Sequence, residues 1–194
     1  MTLKHLKSFK GAKLRIIFDT NILVQAITGM KDGCKLSNPE NGMEIPDPMR
    51  RVEALIDMVE SSGGAVIIPT PVLAEYLVGI DKKDHQTHLN LIQRQSCFEI
   101  ASFDEISAIE CAQMPSIKEL RLMMKSDTAS KVKFDRQIIS IAKALNVDEV
   151  WTHDKGVFNR CKEMGIVVKS LADIDPAPVQ VLIDMSHDAP SELH

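Results

Sequence analysis

Two short apolar runs that each stop at an acid constrain this chain more than any other feature. Ile16-Ile17-Phe18 leads straight into Asp19-Thr20-Asn21, and Val150-Trp151-Thr152 leads into His153-Asp154. Runs this short and β-branched, flanked by longer stretches of helical periodicity, read as strands of a parallel sheet buried on both faces. Strands are expected at residues 14–18, 65–68, 97–100, 149–152 and 166–169. Helices fill the intervals, with start and stop signals of their own. Asp47-Pro48 sets an N-cap and an N1 proline before residues 49–61, with Gly63 beyond them. Thr70-Pro71 repeats that start for residues 72–79, and Ser102 with Glu105 reads as a capping box before residues 106–114. Phe134, Ile138, Ile141 and Leu145 form a helical stripe, and residues 155–164 make a further helix closed by Gly165. Strands alternating with helices predict an α/β domain with a mainly parallel central sheet over residues 14–174.

The segments outside that pattern are a basic arm, an insertion and an acidic tail. Residues 1–13 hold Lys4, Lys7, Lys10 and Lys13 with no acid, and no apolar stretch follows that would make them a secretory signal. Residues 28–47 contain Gly29, Gly33, Pro39, Gly42 and Pro46 and are too long for an ordinary connection, so they read as an inserted loop. Residues 175–194 are acidic and expected to be loose, with one short ordered piece around residues 179–185. No apolar run reaches the roughly 18 residues that a membrane span needs. Cys34, Cys97, Cys111 and Cys161 are scattered without a C-x-x-C pair, which suits free thiols in a cytoplasmic protein better than a zinc site.

Charge sets a first expectation about partners. The 194 residues carry 23 Lys+Arg against 27 Asp+Glu, a net charge of −4, which does not suit a protein that holds a polyanion by bulk attraction. The chemistry lies in where the acids fall. In an open parallel sheet, ligands bind beyond the carboxyl ends of the strands, so Asp19 and Asp154 are expected to project into one crevice. Glu75, inside Val72-Leu73-Ala74-Glu75-Tyr76-Leu77, and Asp135, between Phe134 and Ile138, sit in apolar company where a carboxylate is costly to desolvate without a partner. Four convergent carboxylates repel one another unless a cation compensates, and an all-oxygen donor set favours Mg²⁺ or Mn²⁺. Singly, each acid has a plainer reading: Asp19 and Asp154 as helix N-caps, Glu75 and Asp135 as ion-pair partners of Lys or Arg.

Taken in order, Ile16-Ile17-Phe18-Asp19-Thr20-Asn21-Ile22-Leu23, Thr70-Pro71-Val72-Leu73-Ala74-Glu75, Phe134-Asp135-Arg136-Gln137-Ile138 and Val150-Trp151-Thr152-His153-Asp154 resemble the PIN-domain family. The resemblance implies a three-layer α/β/α fold. It also implies a metal-dependent nuclease whose catalytic and metal-holding acids match Asp19, Glu75, Asp135 and Asp154. Many members are RNA-cutting toxins of type II toxin–antitoxin pairs, so RNA as substrate, an antitoxin partner and a homodimer enter as expectations by resemblance. Asn21 and Thr152 are candidates to hold the carboxylates by hydrogen bonds. Residues 117–137 hold six basic and three acidic residues, among them Lys133 and Arg136 as candidate phosphate contacts.

Two other activities compete. A small-molecule phosphohydrolase could use Asp19 as a covalent nucleophile, but that chemistry wants a second acid close behind, where Asn21 stands. A catalytically weak binding or scaffold protein would keep the fold and lose the chemistry. His85 and His88 suggest no third zinc ligand, and His153 is either a general base or a solvent-facing neighbour of Asp154.

Overall fold

The computed structural model describes residues 13–29, 35–116, 118–119 and 128–178. At its centre five parallel strands are ordered β3-β2-β1-β4-β5: β1 Arg15–Phe18, β2 Ala65–Pro69, β3 Phe98–Ala101, β4 Glu149–Trp151 and β5 Val168–Lys169. All five lie where the apolar runs place them, with ends shifted by one or two residues. The chain leaves β1 in one direction to reach β2 and returns to its other edge with β4, in register Ile17↔Ile67 and Ile17↔Val150. The strand order therefore reverses between β1 and β4, and a crevice opens beyond their carboxyl ends.

Alternation along the strands builds the two faces. Ile17, Ile67 and Val150 face one core, shared with Val72 and Tyr76 of α3 (Thr70–Val78), Ile92 of α4 (His85–Arg94), Ile138 and Ile139 of α6 (Ala129–Ala144), and Val157 and Cys161 of α7 (Lys155–Glu163). Ile16, Phe18, Val66 and Trp151 face the other, against Val52, Leu55 and Val59 of α2 (Pro48–Ser61). The result is a three-layer α/β/α sandwich, with α5 (Glu105–Gln113) packed on α6 and with α1 (Thr20–Ile27) running from the end of β1. Gly64 has a steric reason: a Cβ there would stand 1.9 Å from the Leu14 carbonyl oxygen, so only glycine lets β2 enter alongside β1.

Three helix starts differ from expectation. The cap of α5 is Asp104, whose carboxylate accepts from the Ser107 amide at 2.8 Å, and not a Ser102–Glu105 box. Thr70 already lies inside α3, and its hydroxyl accepts from the Phe103 amide instead. Asp47 occupies the N-cap position of α2 with φ of 52° and makes no side-chain cap bond, so Pro48 at N1 sets that start.

The inserted segment is built in its described part. Residues 35–47 form a small hairpin with a Ser37↔Glu44 bridge and an Ile45 amide bonded to the Leu36 carbonyl, and Leu36 and Ile45 are buried against α2. The first residues of the acidic stretch are fastened instead of loose. Arg51 holds the Leu171 and Ile174 carbonyls, and Arg50 bonds Ala177 through both backbone and side chain, which fastens the chain as far as Ala177 across α2. The expected ordered piece at residues 179–185 and most of the basic arm lie outside the described residues. Cys97, Cys111 and Cys161 are free thiols.

Candidate functional site

Asp19 follows the last residue of β1 and caps α1; Asp154 follows β4 by three positions and caps α7. Both plainer readings therefore hold, and the capping is what aims the acids. The Thr20 amide donates to Asp19 Oδ1 at 2.8 Å, and the fully buried Thr152 hydroxyl donates to Asp19 Oδ2 at 2.6 Å. The Asp154 amide donates to that same Thr152 hydroxyl at 2.9 Å, so one threonine ties the two strand ends together. Asp154 Oδ1 accepts the Gly156 amide at 2.7 Å and the Val157 amide at 3.1 Å, while Oδ2 meets Lys131 Nζ at 2.8 Å. Asn21 accepts from the His153 amide at 3.2 Å, holding the turn that carries Asp154 instead of a carboxylate.

The helix-borne acids arrive differently. Asp135 is buried on the inner face of α6, bonded to the guanidinium of Arg160, which is itself wholly buried. Glu75 is exposed, contrary to its apolar surroundings in sequence: Val72 and Tyr76 turn into the core, and Glu75 points outward, where the Thr20 hydroxyl donates to it. All four acids line one cleft of about 430 Å³, beside Thr20, Asn21, Lys131 and the apolar side chains of Val24, Leu36, Phe134 and Val157.

Electrostatics follows from that crowding. Burial pushes the Asp19 carboxyl up to about 6 against the hydrogen bonds from Thr152 and Thr20, and the charges of Asp154 and Glu75 add to the rise. Burial likewise pushes Asp135 up to about 7, helped by Asp154 and Asp19 and opposed by Arg160 and Lys131. For Asp154 burial also acts upward, but the Lys131 ammonium and the two α7 amides outweigh it and hold the carboxyl below its usual range. Four carboxylates against the two cations bonded to them leave a formal charge of −2, one divalent cation's worth. The donor set is oxygen only and fits Mg²⁺ or Mn²⁺. As placed, no three His, Cys, Asp or Glu side chains among the described residues are grouped to hold a metal ion. The groups bonded to the acids, Thr20, Arg160 and Lys131, have to be reckoned with first.

No family model and no curated protein matches the chain. Solved structures do. One is a chain of the VapBC2 complex from Rickettsia felis bound to a DNA fragment from its promoter, 18% identical, with 81% of this chain and 98% of that one covered at a TM-score of 0.50. The fold is PIN-like. A chain of DNA-bound VapBC from Salmonella typhimurium also aligns, 18% identical over 81% of this chain and 98% of that one, at a TM-score of 0.46.

On this PIN-like frame the two basic candidates do not reach the cleft. Arg136 donates to the Pro115 and Cys111 carbonyls and serves to lock α6 onto the end of α5, and Lys133 is exposed outside the cleft lining. Helical phase explains this: Lys131 and Asp135 are four apart and share a face, whereas Lys133 is turned away from it. That spacing was the available signal for Lys131. Arg160 was signalled by an arginine set among Val157, Phe158 and Cys161, and Thr20 by its place next to Asp19. His153 is neither solvent-facing nor within the cleft lining. Its ring lies between the Ser37 carbonyl at 3.2 Å and the Leu171 amide at 3.4 Å, and burial lowers its pKa. It straps the hairpin beside the site.

Proposed function

We propose that this chain is a divalent-cation-dependent nuclease that hydrolyses RNA phosphodiester bonds in the Asp19–Glu75–Asp135–Asp154 cleft. The observation that carries the reading is the convergence of four carboxylates from four separate elements on one cleft, with two of their pKa values raised and two negative charges left over. A mere binding face for a polyanion has no use for such a concentration of negative charge. Bound Mg²⁺ or Mn²⁺ supplies charge neutralisation at the crowded phosphate and activation of the attacking water.

The chain's own residues do the positioning. Asp19 and Asp154 are the principal cation holders, because backbone amides and Thr152 fix their carboxylates. Asp135 completes the set from α6, and Glu75, exposed at the cleft, orients the nucleophilic water. The apolar walls of Val24, Leu36, Phe134 and Val157 limit water around the reacting phosphate. Attack by Asp19 as a nucleophile is disfavoured, because Asn21, two residues on, holds backbone in place of acting as an acid.

The similar chain in the Rickettsia felis structure belongs to a VapBC2 complex, and we extend to this chain a protein partner of the antitoxin kind, a homodimer and a cytoplasmic setting. Among the described residues no helix is long and apolar enough to cross a membrane. The test is cleavage of several single-stranded and structured RNAs in Mg²⁺ and Mn²⁺, with EDTA and with Asp19→Asn and Asp154→Asn controls. Cleavage by the wild type that both variants and EDTA abolish is the expected result. Equal cleavage by wild type and variants, or none by any, overturns the enzyme and leaves a scaffold that binds without cutting.

A further inference from the structure

We propose that Lys131 is an exchangeable counter-ion: its ammonium stands on the Asp154 oxygen that an incoming divalent cation needs, is displaced by that cation, and then grips a phosphate of the bound strand. This rests on the cation-dependent reading above and assigns Lys131 a role within it.

The geometry of Asp154 leaves one oxygen for the exchange. Oδ1 is committed to the Gly156 and Val157 amides at 2.7 and 3.1 Å, bonds that belong to the α7 cap and are kept whenever α7 is folded. Asp154 lines the cleft, and Oδ2, the oxygen left over from the cap, is the atom that Lys131 Nζ meets at 2.8 Å. A cation held by Asp154 from the cleft side takes Oδ2, and an ammonium cannot stay in contact with the same oxygen beside two positive charges. One of them leaves.

Lys131 is built to be the one. Its side chain is 41% exposed, on a flexible stem, whereas the Arg160 guanidinium that pairs Asp135 is sealed at 0%. It is rooted in the first turn of α6, where the Thr128 hydroxyl accepts its backbone amide at 3.2 Å. A positive side chain at that end of a helix opposes the helix dipole, and Asp154 together with the charge of Asp135, four residues on, offsets that in the present position. Once those carboxylates are claimed by a divalent ion, the ammonium turns within the reach of its own side chain toward the open side of the cleft. Among the described residues that line the cleft Lys131 is the basic one, so an incoming phosphate finds it there.

The experiment compares the full wild-type chain with Lys131→Met and Lys131→Arg in two readouts that need no turnover. In calorimetry with Mn²⁺ alone, removing the competing ammonium makes Lys131→Met bind about threefold tighter, the weight of a partly exposed ion pair, and Lys131→Arg shows no gain. In binding of a fluorescent oligouridylate with Ca²⁺ in place of Mn²⁺, the slope of log affinity on log salt becomes shallower by about 0.7 for Lys131→Met and is kept by Lys131→Arg, the signature of one lost phosphate contact on a single strand. Mn²⁺ affinity that is unchanged or weaker in Lys131→Met overturns the exchange, and an unchanged salt slope overturns the phosphate contact. Should wild type and both variants take up no Mn²⁺, the cation-dependent reading itself falls; uptake by wild type without a gain in Lys131→Met sinks this proposal alone.

Discussion

The site holds two carboxylate–cation pairs that look alike on paper and differ in everything that matters physically. Asp135 and Arg160 are both buried: the guanidinium is shut off entirely, and Asp135, 5% exposed, meets solvent only at the cleft it lines. Asp154 and Lys131 are 26% and 41% exposed and meet at the rim of the same cleft. A sealed pair cannot lose one member cheaply, because the charge left behind has no solvent; an open pair can. The first therefore acts as permanent framework, trimming the negative charge of the site, and the second as a replaceable cover.

That contrast is sharpest in stability. Asp135→Ala leaves a buried arginine that cannot shed its proton, and should cost about 3–5 kcal/mol, a fall of about 10 °C in Tm for a chain of this size. Arg160→Met should cost less, because the orphaned Asp135 can take up a proton instead; without Arg160 its carboxyl rises further, so the deficit should widen as the pH climbs above about 7. The double variant Asp135→Leu with Arg160→Met should recover most of the loss, and failure to recover would mean that the pair holds the fold in some way other than mutual neutralisation. Lys131→Met should change stability by about 1 kcal/mol or less. A melt that puts Lys131→Met level with Asp135→Ala would break the comparison.

A smaller effect reads Asp19, which has hydrogen-bond donors but, among the described residues, no cation bonded to it. Its folded pKa of about 6 lies above the ordinary carboxylate value of 3.8, so the native state holds the proton longer than the unfolded chain does. That contribution is full below pH 3.8 and is lost as the pH climbs through about 6. In cation-free buffer, wild-type Tm should therefore drop by a few degrees from pH 5 to pH 7.5 relative to Asp19→Asn, and Mn²⁺ should restore it. Parallel pH profiles for wild type and Asp19→Asn would show that Asp19 is not strained by burial.

How much of this was legible in the sequence depends on how local the physics is. All five strands were: in the central three, burial on both faces writes itself into consecutive residues such as Ile16-Ile17-Phe18, and the half-exposed edge strands β3 and β5 still stand out as short apolar runs between helices. Asp19 and Asp154 were, because a strand end fixes where the next side chain goes. The cap of α5 was misplaced by two residues, because Ser102 and Asp104 are both good caps and only the Ser107 amide decides between them. The exposure of Glu75 was out of reach, and so was the pairing of the acids: the sequence marks Lys131 and Arg160 as candidates without saying which carboxylate each one meets. Arg160 lies 25 residues from Asp135, and its contact exists only once α6 and α7 are packed together. The hairpin at residues 35–47 hid for a similar reason: Leu36 and Ile45 are isolated among polar residues, and their burial depends on α2.

The central claim is that four carboxylates act as one cation site. Anomalous diffraction from crystals soaked in Mn²⁺ tests it most directly. A peak in the cleft is expected, with Asp19 and Asp154 as ligands, Arg160 still on Asp135, and Lys131 moved off Asp154. An empty cleft with Lys131 unmoved on Asp154 would contradict it.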